Sequence, residues 1–457
     1  MKKKLAVILL AFSFVIAPLQ VFAQEASIKT QFASGNFEYV DTLYADNEVA
    51  DKAKIQFAYV PKQQQTPTEK IKIGCKAAYL ADPVTGKVFF EKNAHKKMYP
   101  ASTTKILTAL LALEKCDVEE KVKVSQTAAA LVDEGYSNAN LQAGETHSVY
   151  TLLQALMIPS ANEAAYALAE HISGNIEDFA TLCNERAKQL GCETLHFVNP
   201  NGLHNKNHYC SAYDLYLIAK ECQKYDVFNE IVRSTSFSVP ATDVYPHDDR
   251  TYENTNELLL SGDYYYSYCT GIKTGHTTPA GECLVASSSH DDLNVISVVL
   301  GGSITEEGNE RFTDTKKLFE YVYDHFAFKQ IAQKNKVLRS IEVKHAVREQ
   351  KIMDIVIPTD IYTVAPNKVT EENVQTRISL LDDIKAPIKE NQVLGTVTYS
   401  VDGLVYTTNI VAKNDVQKLP FWLYNTLVTI SIILIVYLVL KIRQKKIKAA
   451  RKRKAAR

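Results

Sequence analysis

Three short groups of residues in this 457-residue chain carry side chains suited to acyl chemistry. The first is Ser102-Thr103-Thr104-Lys105. A serine hydroxyl is a weak nucleophile until a base takes its proton. A spacing of three puts both side chains on one helix face, and a buried lysine can be the base because desolvation lowers its pKa. The second is Ser160-Ala161-Asn162. Its hydroxyl could pass protons to or from Lys105, and its amide could hold a substrate amide. Alone it reads as an ordinary helix N-cap. The third is Lys273-Thr274-Gly275, followed by His276. A lysine on an edge strand can hold a carboxylate, with the threonine hydroxyl donating a hydrogen bond. Gly275 would let a ligand approach the backbone closely. Each group alone is unspecific in a chain of this length.

Such groups need elements to position them. Strands are expected at 76–80 and 88–90 around the turn Asp82-Pro83-Val84-Thr85-Gly86. A helix that is apolar nearly all round follows from Ser102 to Glu114 and should be buried. Further helices are expected at 151–158, 162–172, 176–190 and 211–223, then strands at 269–274, 283–288 and 294–300 and a helix at about 311–327. Strands, then helices, then strands predict an α+β fold, an antiparallel sheet with a helical lobe. From 338 to 415 the pattern alternates, as in Val397-Thr398-Tyr399-Ser400-Val401. This predicts a small all-β domain, and nothing in it looks catalytic.

Taken together, the three groups are specific. They occur in a fixed order, in strand, buried-helix and strand contexts. With Tyr99-Pro100-Ala101 before Ser102, Asn199-Pro200-Asn201-Gly202, Ser211-Ala212-Tyr213-Asp214 and Gly271-Ile272 before Lys273, the chain resembles the penicillin-binding serine D-Ala-D-Ala carboxypeptidases. These are the low-molecular-weight penicillin-binding proteins, with a β-lactamase/transpeptidase-like fold. The resemblance is close over about 70–330, and the β domain fits the family's layout. It implies that Ser102 attacks a D-Ala-D-Ala stem peptide and forms an acyl-enzyme, with Lys105 as general base. It further implies that Ser160 relays protons, Asn162 orients the substrate, and Lys273 and Thr274 bind the terminal carboxylate. The N–H groups of Ser102 and His276 would form an oxyanion hole. Arg311 is a candidate to add positive potential. No metal or cofactor is needed, and β-lactams would be covalent inhibitors.

Both ends of the chain point to a membrane. Met1-Lys2-Lys3-Lys4, an apolar run and Val21-Phe22-Ala23 predict a cleaved signal peptide at 1–23. Residues 24–70 read as a leader or linker before a peptidase domain at 71–332. Residues 421–440 are uncharged and long enough to cross a hydrocarbon core of about 30 Å. The segment 441–457 carries ten Lys or Arg and no acid. The positive-inside rule makes it a cytoplasmic tail and the helix a single-pass anchor. The formal charge of the whole chain, 52 basic against 52 acidic residues, is zero. Without the signal peptide and the tail it is 39 against 52. The exported body is acidic, which argues against nucleic acid as a partner.

Two other serine readings share the site. A serine β-lactamase often has an Asp where Ala161 stands and needs a deacylating Glu, for which no position is evident. A non-catalytic β-lactam sensor would need a larger cytoplasmic output domain than 441–457. Eight cysteines lie between Cys75 and Cys283 with no Cys-x-x-Cys. Disulfides and buried thiols remain equally open, with Cys269 and Cys283 the pair to examine first. His204 and His208 are four apart, but in an Asn-rich loop rather than on a metal-binding helix.

Overall fold

The computed structural model describes residues 38–40, 56–59, 71–133 and 136–455. The expected signal peptide and most of the leader lie outside them. The centre is an antiparallel sheet of five strands: β1 (Ala77–Ala81), β2 (Val88–Lys92), β3 (Cys269–Thr277), β4 (Gly281–His290) and β5 (Leu293–Gly302). Their spatial order is β2-β1-β5-β4-β3, so β3 is an edge strand. Successive side chains of a strand face opposite sides, and here both sides are buried. Tyr79, Val285, Ile296 and Val298 join one core, while Leu80, Leu284, Ala286 and Val299 join another.

The helices are α1 (Lys105–Lys115), α2 (Gln126–Asp133), α3 (Val149–Met157), α4 (Asn162–Ser173), α5 (Ile176–Gln189), α6 (Ala212–Cys222), α7 (Asp226–Arg233) and α8 (Glu310–His325). The first seven build the lobe over the first core. Phe312, Leu318, Phe319 and Val322 of α8 cover the second. This is the α+β fold expected, with α2 and α7 added. In α7 only Phe228, Ile231 and Val232 are buried, a stripe too short to stand out in sequence.

The helix expected from Ser102 begins instead as a 3-10 turn, Ala101–Thr104, and becomes α-helical at Lys105. The tighter turn has about 3.0 residues per turn, so residues i and i+3 eclipse each other. Ser102 and Lys105 are thus stacked more directly than an α-helix would stack them.

The β region holds seven strands between Phe326 and Ala412. Leu404–Ala412 and Val393–Val401 alternate buried and half-buried positions over a separate core that includes Ile355, Val397 and Tyr406. The first of the seven, Phe326–Ala332, pairs with Ile361–Pro366. Two short leader strands, Glu38–Val40 and Gln56–Tyr59, pair with each other, and the second pairs with Leu404–Ala412. Lys87 pairs with Asp402, joining the turn between β1 and β2 to the β region. The final helix, α9 (Phe421–Ala455), continues unbroken through the basic tail. It contains the one span, among the described residues, long and apolar enough to cross a membrane.

All eight cysteines are free thiols. Cys269 lies opposite Ser288 and Cys283 opposite Gly275, five positions apart along β4. At about 3.4 Å per residue, that separates them by roughly 17 Å, so the pair singled out from sequence is not bridged.

The loop before α3 is held by a buried ion pair. Arg250 donates to both Glu145 oxygens at 2.8 and 2.9 Å, and to Asn140 O at 2.8 Å. His147 and Thr242 also bond Glu145 Oε2, at 2.9 and 3.1 Å. Removing one partner of a buried pair strands the other charge. Arg250→Ala is therefore expected to destabilise the protein by about 3–5 kcal/mol, read from urea denaturation.

Candidate active site

Lys105 is fully buried, and its Nζ has three neighbours. It lies 3.0 Å from Ser102 Oγ, 2.8 Å from Asn162 Oδ1 and 3.0 Å from Asn201 O. Two of these are carbonyl oxygens, which only accept. An ammonium would donate to all three. A neutral amine donates to the two carbonyls and turns its lone pair to the one neighbour with a proton to give, the Ser102 hydroxyl. Burial, then the nearby positive Lys273, push the Lys105 pKa well below its ordinary value, while Glu163 opposes them weakly. The free base is the form that environment favours.

The Ser102 turn is wedged between two glycines. A Cβ at Gly202 would stand 1.9 Å from Ala101 O, and Gly202 has φ +86°. A Cβ at Gly275 would stand 2.9 Å from both Ser102 N and Pro100 O. The edge strand β3 therefore runs directly against the Ser102 backbone. Two non-glycine residues here have positive φ: Ala101 at 49° and Ser160 at 69°. Backbone held in this sparsely populated region must be fixed by its surroundings, and it clusters at functional sites.

Ser160 and Asn162 flank the start of α4, and Ala161, not Ser160, is the N-cap residue. Ser160 makes no capping bond; its Oγ is buried without a hydrogen-bond partner. Asn162 N donates to Ser137 O at 2.9 Å. Glu163, fully buried, accepts from Ala139 N at 2.6 Å and so anchors the same loop beneath the site.

Lys273 is buried on β3, and its Nζ donates to Thr255 Oγ1 at 3.4 Å. Thr255 and Thr274 hydroxyls are 2.6 Å apart, and Thr255 N donates to Ile158 O at 3.3 Å. Thr255 thus ties the third group to Ile158, just before the second. Burial, then Arg311, lower the Lys273 pKa to about 7. Arg311 pairs with Glu282 at 2.7 Å and reaches Gly275 O at 3.5 Å. The His276 side chain is 56% exposed and 3.6 Å from Glu282.

Sequence reasoning missed Asn201 as a partner of Lys105, and it missed Thr255, Glu163 and His208. His208 is a wedge behind Ser102, with both ring nitrogens hydrogen-bonded within the protein. Its Nδ1 accepts from Val198 N at 3.1 Å, so Nε2 carries the proton shared with Thr104 Oγ1 at 2.8 Å. Its ring stacks on Phe197 at 4.4 Å, and burial, with His196 and His204, pushes its pKa down to about 3. Ser211 and Asp214, quoted above among the surrounding residues, form a capping box on α6.

A buried lysine beside a serine on a turn, under the edge of a five-stranded sheet, is an arrangement suited to serine acyl transfer. Residues 62–304 match the family model described as D-alanyl-D-alanine carboxypeptidase, and 326–418 match that of the penicillin-binding protein 5 C-terminal domain. The chain is 33% identical to the D-alanyl-D-alanine carboxypeptidase DacF of Bacillus subtilis (strain 168), over 79% of this chain and 90% of that one. Penicillin-binding protein 5 from Haemophilus influenzae superposes with a TM-score of 0.59 at 26% identity, covering 77% of this chain and all of the other. The peptidoglycan synthesis regulatory factor (PBP3) from Streptococcus pneumoniae gives 0.63 at 25%, covering 76% of this chain and all of the other. The chain belongs to the D-alanyl-D-alanine carboxypeptidase family.

The glycine wedge can be tested directly. Gly202→Ala adds overpacking to an unfavourable φ and is expected to lower stability by about 1–3 kcal/mol or more. Gly275→Ala is expected to push on the Ser102 backbone and slow acylation by labelled penicillin more than it lowers the melting temperature.

Proposed function

We propose that this protein removes the terminal D-Ala from peptidoglycan stem peptides through an acyl-enzyme on Ser102. The observation that carries this reading is the Lys105 amine, 3.0 Å from Ser102 Oγ, with its other contacts on carbonyl oxygens. Lys105 takes the Ser102 proton as the hydroxyl attacks the D-Ala-D-Ala carbonyl. The Ser102 and His276 N–H groups hold the developing oxyanion. Ser160, whose hydroxyl is without a partner, carries the proton to the departing D-Ala amine. Asn162 orients the substrate amide, and Lys273 with Thr274 holds the terminal carboxylate. Water then attacks the ester and releases the stem shortened by one residue. A β-lactam acylates the same serine, its carboxylate occupying the Lys273 site.

The proposed layout is a signal peptide at 1–23, a leader at 24–70, a peptidase domain at 71–332 and a β domain at 338–415. A transmembrane helix at 421–440 and a cytoplasmic tail at 441–457 follow. The peptidase then works outside the cell, held to the membrane. The apolar span within α9 and the basic run after it support this topology.

Purified residues 24–415 are expected to release D-Ala from a D-Ala-D-Ala peptide, and Ser102→Ala is expected to abolish release. If labelled penicillin acylates the protein but no stem peptide yields D-Ala, a β-lactam sensor is the better reading.

The two lysines set opposite limbs of the pH profile. Lys105 must be neutral to act as base, so kcat/KM falls in acid as it gains a proton. Lys273 must be charged to hold the carboxylate, and its pKa is about 7. In the free enzyme kcat/KM is therefore expected to decline as pH rises past about 7. Lys273→Arg keeps its charge and is expected to flatten the alkaline limb at a lower overall rate. A wild-type profile that stays flat from about pH 7 to 9 would rule out Lys273 as the group that titrates.

A further inference from the structure

The two helices that bring Lys105 and Asn162 together meet again away from the cleft. Cys116 is the C-cap of α1, and His171 lies in the last turn of α4. Glu120 closes the turn after α1, donating its N–H to Asp117 O at 3.0 Å. His171 Nε2 and Glu120 Oε1 are 3.0 Å apart. With Cys116 Sγ, the three donor atoms lie within 4.8 Å of one another. Among the described residues this is the one cluster of three such donors. The length of α1 puts it about 16 Å from Lys105, outside the reaction chemistry.

We propose that Cys116, Glu120 and His171 form a structural site for a zinc-class divalent cation. A thiolate, an imidazole and a carboxylate suit a borderline-soft ion. Mg²⁺ and Ca²⁺ take oxygen ligands instead. Zinc sits about 2.3 Å from sulfur and about 2.0–2.2 Å from nitrogen or oxygen. A tetrahedron on those bonds needs ligand atoms roughly 3.3–3.7 Å apart. The His171–Glu120 spacing falls about 0.3 Å below that range, and the 4.8 Å limit of the set lies about 1.1 Å above it. Binding would require side-chain rotations that draw the donors into that range. The Glu120 and His171 side chains are 45% and 26% exposed, so an ion can enter and water can fill the fourth position.

On binding, the Cys116 thiol releases its proton to solvent. The thiolate and the Glu120 carboxylate then balance the two charges of the ion, and His171 coordinates as neutral imidazole. Burial, and then Glu120, raise the Cys116 pKa, so without the ion the thiol stays protonated. The bound ion would clip α1 to α4 at the ends opposite Lys105 and Asn162. The 2.8 Å contact between those two depends on how the helices sit against each other.

The test uses the full chain in detergent, without an affinity tag, stripped by a chelator and titrated with zinc chloride alone. Bound zinc is read by competition with a chromogenic chelator. Occupancy at Cys116 is read from its alkylation by iodoacetamide, mapped by mass spectrometry. One zinc per chain is expected, with Cys116 alkylation slowed more than about tenfold and a higher unfolding temperature. Cys116→Ser and His171→Ala should each weaken zinc binding at least about tenfold and leave the zinc-free unfolding temperature unchanged. Zinc binding that is absent, or that survives both substitutions, overturns the proposal. So does Cys116 alkylation that zinc does not slow.

Discussion

Everything else in the catalytic region depends on keeping one amine dry. Lys105 sits in a fully buried position with no carboxylate bonded to its Nζ. An ammonium there would pay a large desolvation penalty, offset only by the non-bonded Glu163 carboxylate. A neutral amine does not, provided its two N–H groups are satisfied. Asn162 and Asn201 satisfy them, which leaves the lone pair for Ser102. The free-amine form of Lys105 is thus a consequence of burial plus two correctly placed oxygens.

Placing those oxygens takes most of the fold. Asn162 comes from the start of α4, whose position is fixed through Ser137, Ala139 and the Arg250–Glu145 pair. Asn201 comes from a loop that can approach the Ser102 turn only because Gly202 has no side chain. On the other flank, β3 can lie against Ser102 only because Gly275 has none. The sheet that carries β3 is clamped between two cores, so this edge cannot drift away from the turn. Positive φ at Ala101 and Ser160 is tolerated under the same constraint.

What could be read from sequence follows from the range of the interactions. Ser102 and Lys105 are three residues apart, and their relation is local, so their types and spacing suffice. The strands and most helices were legible because their apolar periodicity is local too. Asn201, Thr255, Glu163 and His208 act on groups 18 to 104 residues away, and no local pattern marks them. The 3-10 start of the first helix follows from tertiary contacts to Gly202 and Gly275, which helix propensity does not register. The leader strands escaped for another reason. They join a sheet edge through backbone hydrogen bonds, which need little from side-chain pattern. Cys269 and Cys283 looked like neighbours across a hairpin, and only the register of β3 on β4 separates them.

The free thiols have a consequence for where such a protein can work. A chain held by disulfides loses loop-closure restraint whenever its surroundings turn reducing. This one carries eight cysteines and no covalent cross-link among them. Six of the eight are buried. Its stability rests on the two cores around the sheet and on buried polar pairs, none of which exchanges electrons. The fold needs no oxidant to form.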